Sequence, residues 1–204
     1  SYTETSSVSP SELMTGSDWL NQPNKSQKKY LDTEAVYRQF VYENYQTVDQ
    51  GLEKTIAHLF DQDEFENTGI YSISQHIRDT LTKYMKYDEK TNTQSENVLE
   101  DFLNQKISGN DVLFASAAVE AFRHYNIPAR YVEGYLLKSD AIDEEGNATL
   151  TSKDGHAWVE VYFDGMGWLP IDVTPGYYYD VYTLMNMVAT PQGDNSQVNI
   201  EKGH

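Results

Sequence analysis

The feature that most constrains this chain is the run HAWVEVYFDGMGWLPIDV at residues 156–173. Two segments rich in β-branched and aromatic residues flank a short Asp-Gly-Met-Gly stretch, which reads as a β-hairpin. Register then decides which side chains share a face. Pairing Val161 with Gly167, Val159 with Leu169 and Ala157 with Ile171 gathers one apolar face. The opposite face then pairs Glu160 with Trp168, Trp158 with Pro170, and His156 with Asp172. A two-residue turn closed by Asp164 and Gly167 separates apolar from polar less well, because it sets His156 opposite Pro175 and moves Asp172 to the other face. The preferred pairing leaves residues 162–166 as a loop, or tightens it to the turn Phe163-Asp164-Gly165 with Gly165 left-handed.

Pro170 has no N–H to give the ladder, so its pair is expected to be non-hydrogen-bonded, and the His156–Asp172 pair shares that character. Opposed side chains there have Cβ atoms roughly 4.5–5.5 Å apart. An imidazole and a carboxylate at that distance hydrogen-bond. The carboxylate fixes the tautomer and stabilises the imidazolium, as a base and its orienting acid require. Cross-strand His–Asp pairs are also ordinary sheet neighbours, so the hairpin alone leaves both readings open.

Upstream, the apolar spacing is helical. Helical periodicity begins near Thr33. In VDQGLEKTIAHLF, residues Val48, Leu52, Ile56 and Leu59 share one face. In SISQHIRDTLTKYMKY, residues Ile73, Ile77, Leu81 and Met85 form a stripe that reads as core. VLEDFLNQ is a short helix after the polar loop DEKTNTQSEN. Ser108 reads as an N-cap with Asp111 in the capping-box position, and the helix runs to about His124 with Val112, Ala115, Val119 and Phe122 inward. IPARYVEGYLL continues as a strand, residues 139–154 form a loop, and TPGYYYD leaves the sheet. Helices first and an antiparallel sheet afterwards give an α+β domain. The expected organisation is a polar arm over 1–29, a domain over 30–187 and a polar tail over 188–204.

Charge and composition narrow the function. The 15 Lys and Arg stand against 32 Asp and Glu, for a net charge of −17. Such a field repels nucleic acid and anionic lipid, so neither is an expected partner. The chain has no cysteine, which removes disulfides, thiolate metal sites and thiol catalysis. No apolar run reaches the ~18 residues of a membrane span.

The motifs together resemble the transglutaminase-like superfamily, in particular its bacterial membrane-associated branch. The family pattern Gly-x-Cys-x-x-Phe-Ala is met by Gly109-Asn-Asp111-Val-Leu-Phe114-Ala115. Gly-Ile-Pro-Ala-Arg-Tyr-Val-x-Gly-Tyr is met from Asn126 to Tyr135, with Asn126 in place of the first glycine. His-Ala-Trp-Val-Glu-Val-Tyr begins at His156, and Gly-Trp-x-Pro-x-Asp-x-Thr-Pro runs from Gly167 to Pro175. The resemblance implies a papain-like core in which N-terminal helices pack on an antiparallel β-sheet. It also implies that His156 is the base, Asp172 the orienting acid and Asp111 the occupant of the nucleophile position, where the family writes cysteine.

A carboxylate is a poor nucleophile toward an amide, since attack gives an anhydride more reactive than its precursor. Three readings follow. One is a pseudoenzyme that binds a peptide, glycan or protein partner. Another is a hydrolase or transferase working with an altered Asp111/His156/Asp172 triad, or with a metal held by those three residues. Glu133 and Glu160 are its candidate second acids. The third is an active cysteine acyl transferase whose thiol has been replaced by Asp111. Each shares a cleft that Trp158, Trp168 and Tyr177 line, unless those aromatics serve only packing. No cofactor is expected. The resemblance further implies an extracytoplasmic location, in a parent protein attached to a membrane.

Overall fold

The computed structural model describes residues 22–67, 69–91, 97–105, 107–137 and 142–180. The expected tail over 188–204 and most of the expected arm lie outside them. Among the described residues, five α-helices and six strands follow in order: α1 Lys25–Tyr45, α2 Glu53–Phe60, α3 Ile70–Tyr84, β1 Lys86–Tyr87, α4 Val98–Gln105, β2 Ser108–Gly109, α5 Asp111–His124, β3 Ala129–Tyr135, β4 Gly155–Phe163, β5 Gly167–Asp172 and β6 Tyr179–Asp180. None of the described helices is long and apolar enough to cross a membrane. The class is α+β, as expected.

α5 is the central element. Leu113, Phe114, Ala115, Ala117, Ala118, Val119, Ala121 and Phe122 are all buried, so the helix is enclosed around most of its circumference. Helices α2, α3 and α4 pack on it from one side, and strands β3 and β4 from the other. Its alanines let these neighbours approach closely. The stripe Ile73, Ile77, Leu81 and Met85 is buried in this core, as its spacing predicts. Ile56 and Leu59 are buried too, whereas Val48 precedes α2.

The larger sheet runs β3-β4-β5-β6, each neighbouring pair antiparallel. The hairpin register differs from the expected one by two residues. Val159 pairs with Ile171, Glu160 with Pro170, Val161 with Leu169, Tyr162 with Trp168 and Phe163 with Gly167. The physical cause is the turn, which takes Asp164-Gly165-Met166 with Gly165 at φ 78° and Gly167 at φ 101°, so the strands close sooner. A slip of two preserves the alternation of faces, so His156 and Asp172 keep the same face but are no longer directly opposed.

Other local expectations are also corrected. Asn110 caps α5, its side chain accepting from the Leu113 N–H, and Asp111 is the first helical residue. Ser108 and Gly109 instead pair in parallel with Lys86 and Tyr87. α1 starts at Lys25, inside the stretch read as an arm, because Asn24 and Gln27 form a capping box. Tyr179 and Asp180 rejoin the sheet as an edge strand on β5 rather than leaving it.

Candidate active site

Three elements converge on His156. It stands at the start of β4, where the ladder to β5 has already ended at Val159–Ile171. The residue is 8% exposed, and its imidazole is bonded on both nitrogens. Nε2 lies 2.6 Å from Asp172 Oδ2, and Nδ1 lies 3.0 Å from Asp111 Oδ2. The ring stacks on Tyr177 with centroids 4.6 Å apart, and more distantly on Trp158 at 6.4 Å.

Each carboxylate is held from behind. Asp172 Oδ1 accepts the Thr174 N–H at 2.9 Å. Asp111 Oδ1 accepts the Val112 N–H at 3.0 Å, and its Oδ2 accepts the Ala157 N–H at 2.9 Å. Ala157 lies beyond the last β4–β5 pair, so its N–H is free of that ladder and turns to Asp111. The helix N-terminus adds its own favourable field for the Asp111 anion.

A neutral imidazole has one N–H donor and one acceptor nitrogen. With a carboxylate oxygen on each nitrogen, only the imidazolium satisfies both contacts. Burial alone pushes the His156 pKa down, but hydrogen bonds and charge from Asp111 and Asp172 outweigh it and raise the pKa to about 9. For Asp111, burial pushes the pKa up. Hydrogen bonds from His156 and the Ala157 N–H, with the imidazolium charge, hold it below the ordinary carboxylate value.

The three residues form a line rather than a cage. Asp111 and Asp172 sit on opposite ring nitrogens, so their oxygens and an imidazole lone pair cannot meet at one point. Among the described residues no group of three or more His, Cys, Asp and Glu side chains is arranged to hold a metal ion.

Clefts open on both sides of His156. One of about 470 Å³ is lined by Asp111, Val112, Glu133, Tyr135, Ser152 and Ala157 among others. A smaller one of about 170 Å³ is lined by Tyr135, Leu136, His156, Trp158, Pro170 and Asp172. Trp158 lies across Gly134, where an added Cβ would come within 2.6 Å of its ring, so this close approach requires glycine.

Not every expected residue is here. Trp168 shares the sheet face of His156 but stands at the far end of the hairpin. It packs there on Tyr45 and Tyr162, carries the Arg130 guanidinium over its ring, and donates to Tyr37 Oη at 2.9 Å. Glu160 is tied up with Arg130, while Glu133 faces the larger cleft. The Ala157 N–H and Ser152 were not picked out from sequence. The end of the ladder would have pointed to Ala157 had the register been known.

The sequence model of the Transglutaminase-like superfamily matches residues 61–173. Among curated proteins, 87 residues are 37% identical to the uncharacterized protein YebA of Bacillus subtilis strain 168, covering 40% of this chain and 12% of that protein. A stretch of 77 residues is 38% identical to a protein-glutamine gamma-glutamyltransferase of Pseudomonas aeruginosa, covering 37% of this chain and 11% of the relative. The match therefore spans about an eighth of the length of each curated relative. Among solved structures, the periplasmic domain of TgpA from Pseudomonas aeruginosa aligns with a TM-score of 0.48 at 20% identity, over 74% of this chain and 50% of that one. Because the superfamily's model matches more than half of its residues, this chain belongs to the transglutaminase-like superfamily.

Proposed function

We propose that this transglutaminase-like domain is not a thiol acyl transferase but a binding module, whose ligand is a peptide, glycan or protein partner. One observation carries the reading: both ring nitrogens of His156 are occupied by carboxylates, Asp111 on one side and Asp172 on the other. A general base needs a free lone pair near the working pH. His156, with its pKa raised to about 9, has none at neutral pH. Asp111 occupies the position that the family pattern gives to cysteine, and its three hydrogen bonds reduce its already weak nucleophilicity. Two open clefts remain beside this inert centre and supply a surface for a ligand.

The test is an acyl-transfer assay with a glutamine-bearing protein and a fluorescent primary amine, run beside a peptide-hydrolysis assay. No incorporation and no cleavage above a His156→Ala control supports the reading. Turnover that depends on both Asp111 and His156 overturns it.

A second reading is favoured by the frame around residue 111. A helix N-terminus, the Ala157 N–H and an imidazole nitrogen 3.0 Å away surround its side chain, as a thiolate would need. On that reading the chain is a cysteine acyl transferase whose thiol has been replaced. Glutamine turnover by Asp111→Cys would favour it. The extracytoplasmic location and the membrane-attached parent belong to the proposal as well and are supported by the resemblance to the membrane-associated branch. Fusing the domain, within its parent chain, to a reporter active only outside the cytoplasm tests them.

A further inference from the structure

β3 is an edge strand. Among the described residues its only ladder is with β4. The phase of that ladder is fixed at both ends: the Tyr162 N–H donates to the Pro128 carbonyl at 3.0 Å, and the Leu136 N–H donates to the Asp154 carbonyl at 2.8 Å. Bonded and non-bonded pairs alternate along an antiparallel pair. Arg130, Val132 and Gly134 therefore turn their backbone groups toward β4, while Ala129, Tyr131, Glu133 and Tyr135 turn theirs outward.

The outward carbonyl of Ala129 is already taken by Arg123, through Nε at 3.1 Å and Nη2 at 3.0 Å. No described hydrogen bond reaches the outward backbone groups of Tyr131, Glu133 or Tyr135. Glu133 is exposed, and Tyr135 is 60% exposed. Proteins usually blunt such an edge with proline, a bulge or a covering element. β3 has no proline, and its register runs unbroken from Ala129 to Tyr135.

The edge borders the larger cleft. Glu133 pairs with Ala157 across the ladder, and both line that cleft with Asp111 and Val112. A strand laid along β3 would turn the side chain opposite Glu133 to the same face. Charge selects the strand. The Glu133 carboxylate stands at the edge, accepting the Tyr131 hydroxyl as its one partner among the described residues, and the chain as a whole carries −17.

We propose that an extended, cationic polypeptide segment adds to the free edge of β3, bonding to the backbone of Glu133 and Tyr135 and laying alternate side chains over the Asp111 end of α5. The inference rests on the reading of this cleft as a binding rather than a catalytic site. Main-chain bonds supply affinity, and alternate side chains supply selectivity.

The probe is the fluorescent peptide Thr-Lys-Val-Lys-Val-Lys-Thr, compared with its Glu-for-Lys counterpart and with a version N-methylated at alternate residues. The expected result is saturable binding of the first, weakened about tenfold or more in the other two, with amide exchange at Glu133 and Tyr135 slowed at least about tenfold. Glu133→Pro should weaken binding to a similar extent, since it removes an outward N–H and leaves the β4 ladder intact. No binding at millimolar peptide overturns the proposal, as does equal binding of the N-methylated peptide. Protection of the same amides on raising protein concentration without peptide also overturns it, by giving the edge to a second copy of the chain. Mass spectrometry of the recovered peptide separates the two readings. An unchanged mass agrees with both. A cleaved peptide, with the two amides still protected, sinks the non-catalytic reading alone.

Discussion

His156 and Asp172 are two residues out of register on β4 and β5, yet His156 Nε2 lies 2.6 Å from Asp172 Oδ2. Asp172 stands across from Trp158 by extension of the ladder and reaches diagonally along the sheet to the imidazole. The same imidazole meets Asp111 with its other nitrogen, so β5, β4 and the N-terminus of α5 are joined through one side chain.

That linkage makes stability depend on pH at both ends. The folded pKa of His156, about 9, exceeds the unfolded value near 6.5. Its contribution is therefore complete below about pH 6.5 and is lost as pH rises through about 9. Its full extent is a few kcal/mol, at about 1.4 kcal/mol per unit. Asp111 has the opposite sign: its folded pKa is depressed, so its contribution is present above the unfolded value and is lost as pH falls through the folded one. Urea midpoints measured from pH 3 to 10 should be highest between about 4.5 and 6.5 and fall on both sides. A midpoint unchanged between pH 7 and 10 would contradict this assignment.

Asp111→Ala should destabilise the fold by about 2–4 kcal/mol, because it leaves a buried imidazolium with one partner and two N–H groups without an acceptor. Asp111→Asn should lose less, since its amide oxygen still accepts from Ala157. Denaturant unfolding of the three proteins at pH 6 tests the order.

Trp168→Ala should separate packing from the site. Its ring contacts Tyr45, Tyr162 and Arg130, so truncation should cost about 2–4 kcal/mol. The His156 titration midpoint should stay put, because none of those contacts reaches the imidazole. A midpoint shifted by a full pH unit would bring Trp168 back to the cleft.

Much of this arrangement was legible in sequence, and each gap has a physical cause. The shared face of His156 and Asp172 follows from strand alternation, which a two-residue slip leaves untouched. Their diagonal pairing depends on the positive φ of Gly165 and Gly167, which several turn types would satisfy. The cap at Asn110 was missed because Ser108 is drawn into a parallel bridge with Lys86, a contact distant along the chain. The early start of α1 was missed because only Glu34 and Val41 of that helix are buried, so it has little apolar periodicity to read. Trp168 was assigned to the cleft because sequence does not tell which end of the sheet α1 covers.

Glu34 is another buried carboxylate whose removal should be felt. It accepts from Tyr162 Oη at 2.9 Å and from the Gly165 N–H at 3.0 Å, fixing α1 to the hairpin turn. Glu34→Ala strands both donors and should cost about 2–3 kcal/mol, while Glu34→Gln should recover part of that. Thermal melts of the two variants give the comparison.

Asp111→Cys should yield a reactive thiol. The helix N-terminus and His156 both favour the thiolate. At pH 7.5 iodoacetamide should modify this lone cysteine faster than a free thiol of pKa about 8.5, and His156→Ala in the same background should slow it. A folded but inert variant would mean that the frame no longer supports thiol chemistry.

On the proposed reading His156 is an imidazolium held between two carboxylates and not a base. Nitrogen-15 NMR of the His156 ring from pH 5 to 10 tests it most directly. Both ring nitrogens should be protonated at pH 7.5, with a midpoint near 9 that falls by a unit or more in Asp111→Ala. A midpoint at or below 6.5, with one unprotonated nitrogen at pH 7.5, would instead return His156 to the role of a general base.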